Sequence, residues 1–176
     1  MMKTSKLNLL LFNAIGGAAV LGSYVHGILT HPHPGRTLWG GLPESLRPLY
    51  TGSMLAAAGG FIGMITYLAK LPEARILGGR LPLSAIYVPL GVIHVASTLW
   101  MPLTFAFADS QSQARWAAVR IDLALVGLSA IALIPAVATA TPRGKGLAAA
   151  LAGTAAFAFH TAILDAIVWP ALYRKG

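Results

Sequence analysis

Five apolar stretches, roughly residues 8–29, 49–70, 83–107, 115–137 and 146–171, make up most of this chain. Each is long enough to cross a bilayer as a helix, which takes about 20 mostly apolar residues. The breaks between them are abrupt: "THPHPGRTLWGGLPESLRP", "KLPEARILGGRLP", "ADSQSQAR" and "TATPRGKG". In hydrocarbon every backbone polar group must be satisfied within the chain, so such stretches admit helices and little else. The expectation is an all-α fold, an integral-membrane five-helix bundle forming one domain over residues 1–176. The opening "MMKTSKLNLLLFNAIGGAAVLGSYVHG" has the outline of a signal peptide, but is read here as a retained first helix.

Charge supports this reading. Only 10% of the residues are charged and the mean hydropathy is +0.70. A soluble domain carries about 25% charged residues, so this chain has too few to cover a globular surface. The net charge of +8 is spread through the loops without a basic, aromatic-interleaved run. That pattern suits lipid headgroups rather than nucleic acid. With no cysteine, thiol catalysis, disulfides and Cys-ligated metals are excluded.

An odd number of spans puts the termini on opposite faces. The N-terminal face (face A) carries Lys3, Lys6, Lys70, Arg75, Arg80, Arg143 and Lys145. The other (face B) carries Arg36, Arg47, Arg115, Arg120, Arg174 and Lys175. Seven against six leaves orientation undecided by the positive-inside rule. Three small-xxx-small pairs, Gly59/Gly63, Ala56/Gly60 and Ala18/Gly22, mark faces where helices can approach closely. Packing within the bundle is the first expectation for them and a homodimer seam the second.

Ionisable groups inside spans are costly and need a reason. Asp122 and Asp165 each lie roughly 10 Å in from face B, as does Trp100, at 1.5 Å rise per residue. Thr154, Thr161, Asp165 and Trp169 form one helical stripe, and His26 sits near the face-B end of the first span. Every span except the second thus offers a polar or aromatic group in the face-B half. The longest loop, with Trp39, can fold over that end. This is the pattern of a lidded cavity. The competing expectations are an ion pair of Asp122 with Arg115 or Arg120, interhelical hydrogen bonding for Asp165, and interfacial anchoring for Trp39, Trp116 and Trp169. Anchoring is the stronger reading for Trp169.

His94 and His160 lie at similar depths on parallel spans. Two such histidines can bracket a haem iron or ligate a pigment, although hydrogen-bonded core histidines are commoner. His94 with Ser97 is an i, i+3 pair that nothing completes into a nucleophilic site. "HPHP" at 31–34 offers two ligands at most and reads as extended loop. No Gly-rich phosphate loop, HExxH or GxSxG is present, so these residues favour a binder over an enzyme.

Several short motifs resemble the TspO/translocator (peripheral benzodiazepine receptor) family. "GSYVHG" at 22–27 is similar to the close of that family's first helix, and "VPLG" at 88–91 to the start of its third. "LWMPLTF" at 99–105 resembles its third-helix pattern. "LDAIVW" at 164–169 resembles its fifth-helix motif, with Asp165 standing where Asn is usual. "WAAVRIDLALV" resembles its fourth helix with its Asp. The first loop keeps Trp39, Leu42 and Pro43 but few of the family's aromatics. The resemblance implies a five-helix fold with a pocket beneath the first loop for porphyrin, haem or a sterol-like lipid. Trp39, Trp100, Trp116, Thr161 and Leu164 would line it. Asp122 and Asp165 join that candidate set from their depth. No cofactor is required, and a porphyrin-degrading activity proposed for some members would add only weak chemistry. "VWPALYRK" at 168–175 fits a pattern proposed for cholesterol contact. Propionates would favour Arg36, Arg47 or Arg115 at the mouth, whereas deep carboxylates oppose an anionic ligand. The reading from another class is an accessory subunit of a larger membrane complex.

Overall fold

A computed structural model describes residues 5–173. Lys3, Arg174 and Lys175, and with them the end of "VWPALYRK", lie outside the described residues. Five helical segments are long and apolar enough to cross a membrane: Lys6–Thr30, Glu44–Leu68, Leu83–Ser110, Gln113–Ala138 and Leu147–Tyr173. This is the architecture of a multi-pass membrane protein.

The first span is α1 (Lys6–Thr30), capped by Ser5, whose Oγ accepts from Asn8 N at 3.0 Å. Such a cap satisfies one of the orphan amides of the first turn. A short α2 (Pro34–Trp39) follows in the first loop. The "HPHP" segment is therefore extended at His31 but not throughout. His33 is left-handed (φ 53°), and Pro34 opens a helix, where proline's missing N–H costs nothing. The second span is α3 (Arg47–Leu68), preceded by a 3-10 turn at Glu44–Leu46. On face A, β1 (Arg75–Ile76) and β2 (Leu81–Pro82) form a minimal hairpin. Arg75 also exchanges backbone hydrogen bonds with Thr141 at 2.8 and 2.9 Å, tying two face-A loops together.

The third and fourth spans contain α4 (Tyr87–Ser110) and α5 (Gln113–Ala138). Pro102 lies inside α4 and leaves the carbonyl of Thr98 without its usual partner. Ser23 of α1 donates to that carbonyl at 2.7 Å, so a neighbouring helix satisfies the freed group. The fifth span starts as α6 (Leu147–Ala158), continues as a π-helix (Phe159–Val168) and closes as α7 (Trp169–Tyr173).

Around the bundle, α1 packs on α4, α4 on α5, α5 on the fifth span, and the fifth span on α3. Contact between α1 and α3 is slight, which leaves room inside the ring. One apolar core near face A includes Leu9, Met64, Leu68, Leu90 and Leu133. A second, near face B, is built from Leu42, Tyr50, Phe107, Trp116, Leu164, Trp169 and Tyr173. Large apolar side chains such as Ile15, Leu29 and Val88 point outward, as a lipid-facing surface requires.

The small-residue pairs divide. A β-carbon on Gly60 would run into the backbone of Gly153, so Gly60 is a true helix–helix contact. Gly59, Gly63 and Gly22 have nothing within 4 Å and face away from the bundle. Only the Ala56/Gly60 pair therefore contributes its glycine to packing of the fifth span on α3. Sequence spacing gives a ridge but not the direction in which it points.

Candidate functional site

A cavity opens in the face-B half, beneath the first loop. Its outer lobe has a volume of about 230 Å³ and its inner lobe about 280 Å³. The lobes share Tyr24, Met54, Trp100, His160 and Asp165. Gly35, Leu38 and Trp39 of α2 close the outer lobe. Three contacts hold this roof down. Gly41 N donates to Tyr173 O at 3.0 Å, Trp169 Nε1 donates to Leu38 O at 2.9 Å, and His31 stacks on Phe105 at 3.8 Å. Arg47 lies 5.9 Å from the centre of the Trp39 ring and pairs with Glu44 at 3.3 Å.

Aromatic rings form the walls. Tyr24 meets Trp100 at 5.6 Å and Trp100 meets Trp169 at 6.0 Å, both edge to face. Trp39 meets Tyr50 at 6.3 Å, nearly perpendicular. The imidazole and the carboxyl group on the wall come from the π-helix. In such a helix residues five apart align along the axis, which brings His160 and Asp165 together. His160 Nε2 lies 3.4 Å from Asp165 Oδ2, and its Nδ1 lies 3.1 Å from Ser53 Oγ on α3. Tyr50 OH donates to Leu164 O at 2.9 Å. Asp165 is therefore paired along its own helix, with no interhelical hydrogen bond from its side chain among the described residues.

Of the seven residues proposed from sequence for the site, four line this cavity: Trp39, Trp100, Thr161 and Asp165. Three do not. Trp116 is buried against Phe107 and Tyr173, at 4.8 and 5.5 Å, and borders a separate groove with Arg120 and Pro170. Leu164 is buried and contributes its carbonyl rather than its side chain. Asp122 is buried with Oδ2 lacking a hydrogen-bond partner. It forms no ion pair among the described residues. Arg115 instead donates to Ala106 O at 2.7 Å, and Arg120 points outward.

Two further expectations fail for stated reasons. Trp169 is no interfacial anchor. It is 4% exposed and packed among Trp100, Trp116 and Tyr173. Trp169 follows Asp165 by four residues and stays on the same inward face. His94 and His160 do not face a common cavity. Only His160 lines it, while His94 sits over Gly16 with Nε2 3.1 Å from Asn13 Oδ1. The His94–Ser97 pair separates in the same way, because Ser97 opens on the inner lobe and His94 does not.

Comparison with protein-family models, curated proteins and solved structures returns no match for this chain. What the cavity can hold follows from its walls.

Sequence reasoning passed over Tyr24, Tyr50, Ser53 and Met54. The sequence reading assigns the second span no polar or aromatic group in the face-B half, yet α3 supplies three of these. Ser53 lies about 9 Å into α3 at 1.5 Å per residue, so the depth criterion that selects Asp165 also applies to it, while Tyr50 sits nearer the helix start. Tyr24 stands inside "GSYVHG", where His26 drew attention instead. His26 is exposed and outside the cavity.

Proposed function

We propose that this chain is a TspO-like membrane protein that binds a rigid hydrophobic ligand, of the tetrapyrrole or sterol-like class, in transport or sensing. The observation that carries the reading is the aromatic cavity roofed by α2, with Trp39 and Trp100 on its wall and Asp165 at its polar edge. Ligand sites are mostly apolar clefts in which a few placed polar groups set orientation. A rigid ligand loses little conformational freedom on entry, so apolar wall contact converts efficiently into affinity. Acidic substituents, where a ligand has them, would sit at the mouth. Arg36 flanks the crevice beside α2 there, and Arg47 covers Trp39. Haem ligation by paired histidines is not favoured, because His94 is turned to Asn13.

The test is saturable quenching of tryptophan emission by protoporphyrin, with the protein in nanodiscs. Trp100 belongs to both lobes, so Trp100→Ala is expected to weaken the apparent affinity by roughly tenfold or more, as for loss of a central aromatic contact. Linear, non-saturable quenching that is identical in the two proteins would refute the reading.

A further inference from the structure

The walls of the cavity also discriminate by charge. Among the described residues, Asp165 is the sole acidic side chain on either lobe, and none of those lining the lobes is Lys or Arg. Its side chain is 31% exposed although it belongs to a membrane-spanning segment. His160 flanks this carboxyl group, with Nε2 3.4 Å from Asp165 Oδ2 and Nδ1 3.1 Å from Ser53 Oγ. A neutral imidazole that accepts from Ser53 at Nδ1 carries its proton on Nε2, the side that faces Asp165.

The rings around this carboxylate are steeply inclined to one another. Tyr24 and Trp100 meet at 60°, Trp100 and Trp169 at 69°, Trp39 and Tyr50 at 89°. Inclined walls make a box rather than a flat slot. An aromatic box beside a carboxylate suits a cation, which ring quadrupoles attract most strongly when it is desolvated. An anionic group at the same place meets the like charge of Asp165, with no basic side chain among the described lining residues to offset it.

We propose that the cavity selects ligands bearing a protonated amine, seated against Asp165 and the rings of Tyr24, Trp100 and Trp169. The proposal rests on the cavity being a ligand site, as above, and adds a charge preference at the inner end, next to Asp165, leaving acidic substituents to the mouth. The apolar body of the ligand fills the lobes while its ammonium group meets the carboxylate.

A matched pair of probes tests this, 1-aminoadamantane against 1-adamantanol, which share one rigid cage and differ in charge. Each is titrated into the full chain in nanodiscs, with tryptophan emission as the readout and empty nanodiscs correcting for partitioning. The amine is expected to bind at least about tenfold more tightly than the alcohol. Asp165→Asn is expected to abolish that preference while alcohol binding persists, and Asp165→Glu to retain it. An alcohol that binds as tightly as the amine overturns the proposal, as does a preference that survives in a folded Asp165→Asn protein. Should the variant fail to fold, the wild-type comparison and Asp165→Glu still decide. If neither probe binds, the amine proposal falls. Protoporphyrin then separates the two readings: saturable quenching leaves the cavity reading standing, and its absence removes that as well.

Discussion

Trp169→Ala is expected to destabilise the protein by about 3–5 kcal/mol, the usual range for truncating a buried Phe or Trp to Ala. Trp169 joins three parts of the face-B end. Its ring lies 6.0 Å from Trp100, 6.1 Å from Trp116 and 4.3 Å from Tyr173. Its indole N–H reaches Leu38 O on the roof helix at 2.9 Å. Truncation leaves a void inside the aromatic cluster and removes one of the three contacts that hold α2 down. Trp169→Phe keeps most of the ring and loses only the hydrogen bond, a change of about 1 kcal/mol plus a small packing term. Thermal unfolding in mild detergent, followed by circular dichroism, separates the two. A much lower midpoint for the Ala variant is expected, with the Phe variant close to wild type. An interfacial anchor would behave differently, and near-equal midpoints for Trp169→Ala and wild type would restore that reading.

Gly60→Leu is expected to disrupt the bundle outright, while Gly59→Leu and Gly63→Leu leave it intact. A β-carbon on Gly60 clashes with the backbone of Gly153. In the reciprocal case, one on Gly153 would lie 2.7 Å from Gly60 O and 2.8 Å from its Cα. Both obstacles are backbone, so no side-chain rotamer relieves them and the helices must separate. Overpacking a core costs about 1–3 kcal/mol when neighbours can shift, and here they cannot. Separation would also displace Ser53 from His160 and Tyr50 from Leu164, because those contacts join the same two spans. Size-exclusion profiles in detergent report the outcome. A monodisperse peak for Gly59→Leu and aggregation or loss for Gly60→Leu is expected, and a reversed ranking would mean that the α3 face is misassigned.

The five spans were legible because each apolar run ends at a Pro-, Gly- or charge-rich break, and hydropathy alone carries that information. The depth of Trp100 and Asp165 was legible too, since rise per residue is nearly constant along a helix. Direction about the helix axis was not. Gly59 and Gly60 are equally small, and nothing local decides which of them meets the fifth span. The π-helix at Phe159–Val168 was invisible to any reading made at 3.6 residues per turn. It accounts for the His160–Asp165 pairing. Asp122 shares that depth along its span, yet its buried position outside the lobes depends on how α5 packs between its neighbours. The roof helix α2 follows from Pro34 opening a turn after a left-handed His33, a local signal hidden by the surrounding Pro- and Gly-rich sequence.

The most direct measurement is a structure of the protein in nanodiscs with protoporphyrin added at saturation. The account predicts ligand density beneath α2, in contact with Trp39 and Trp100, with the propionates at the mouth and away from Asp165. An empty cavity with the porphyrin lying on the outer, lipid-facing surface would contradict it.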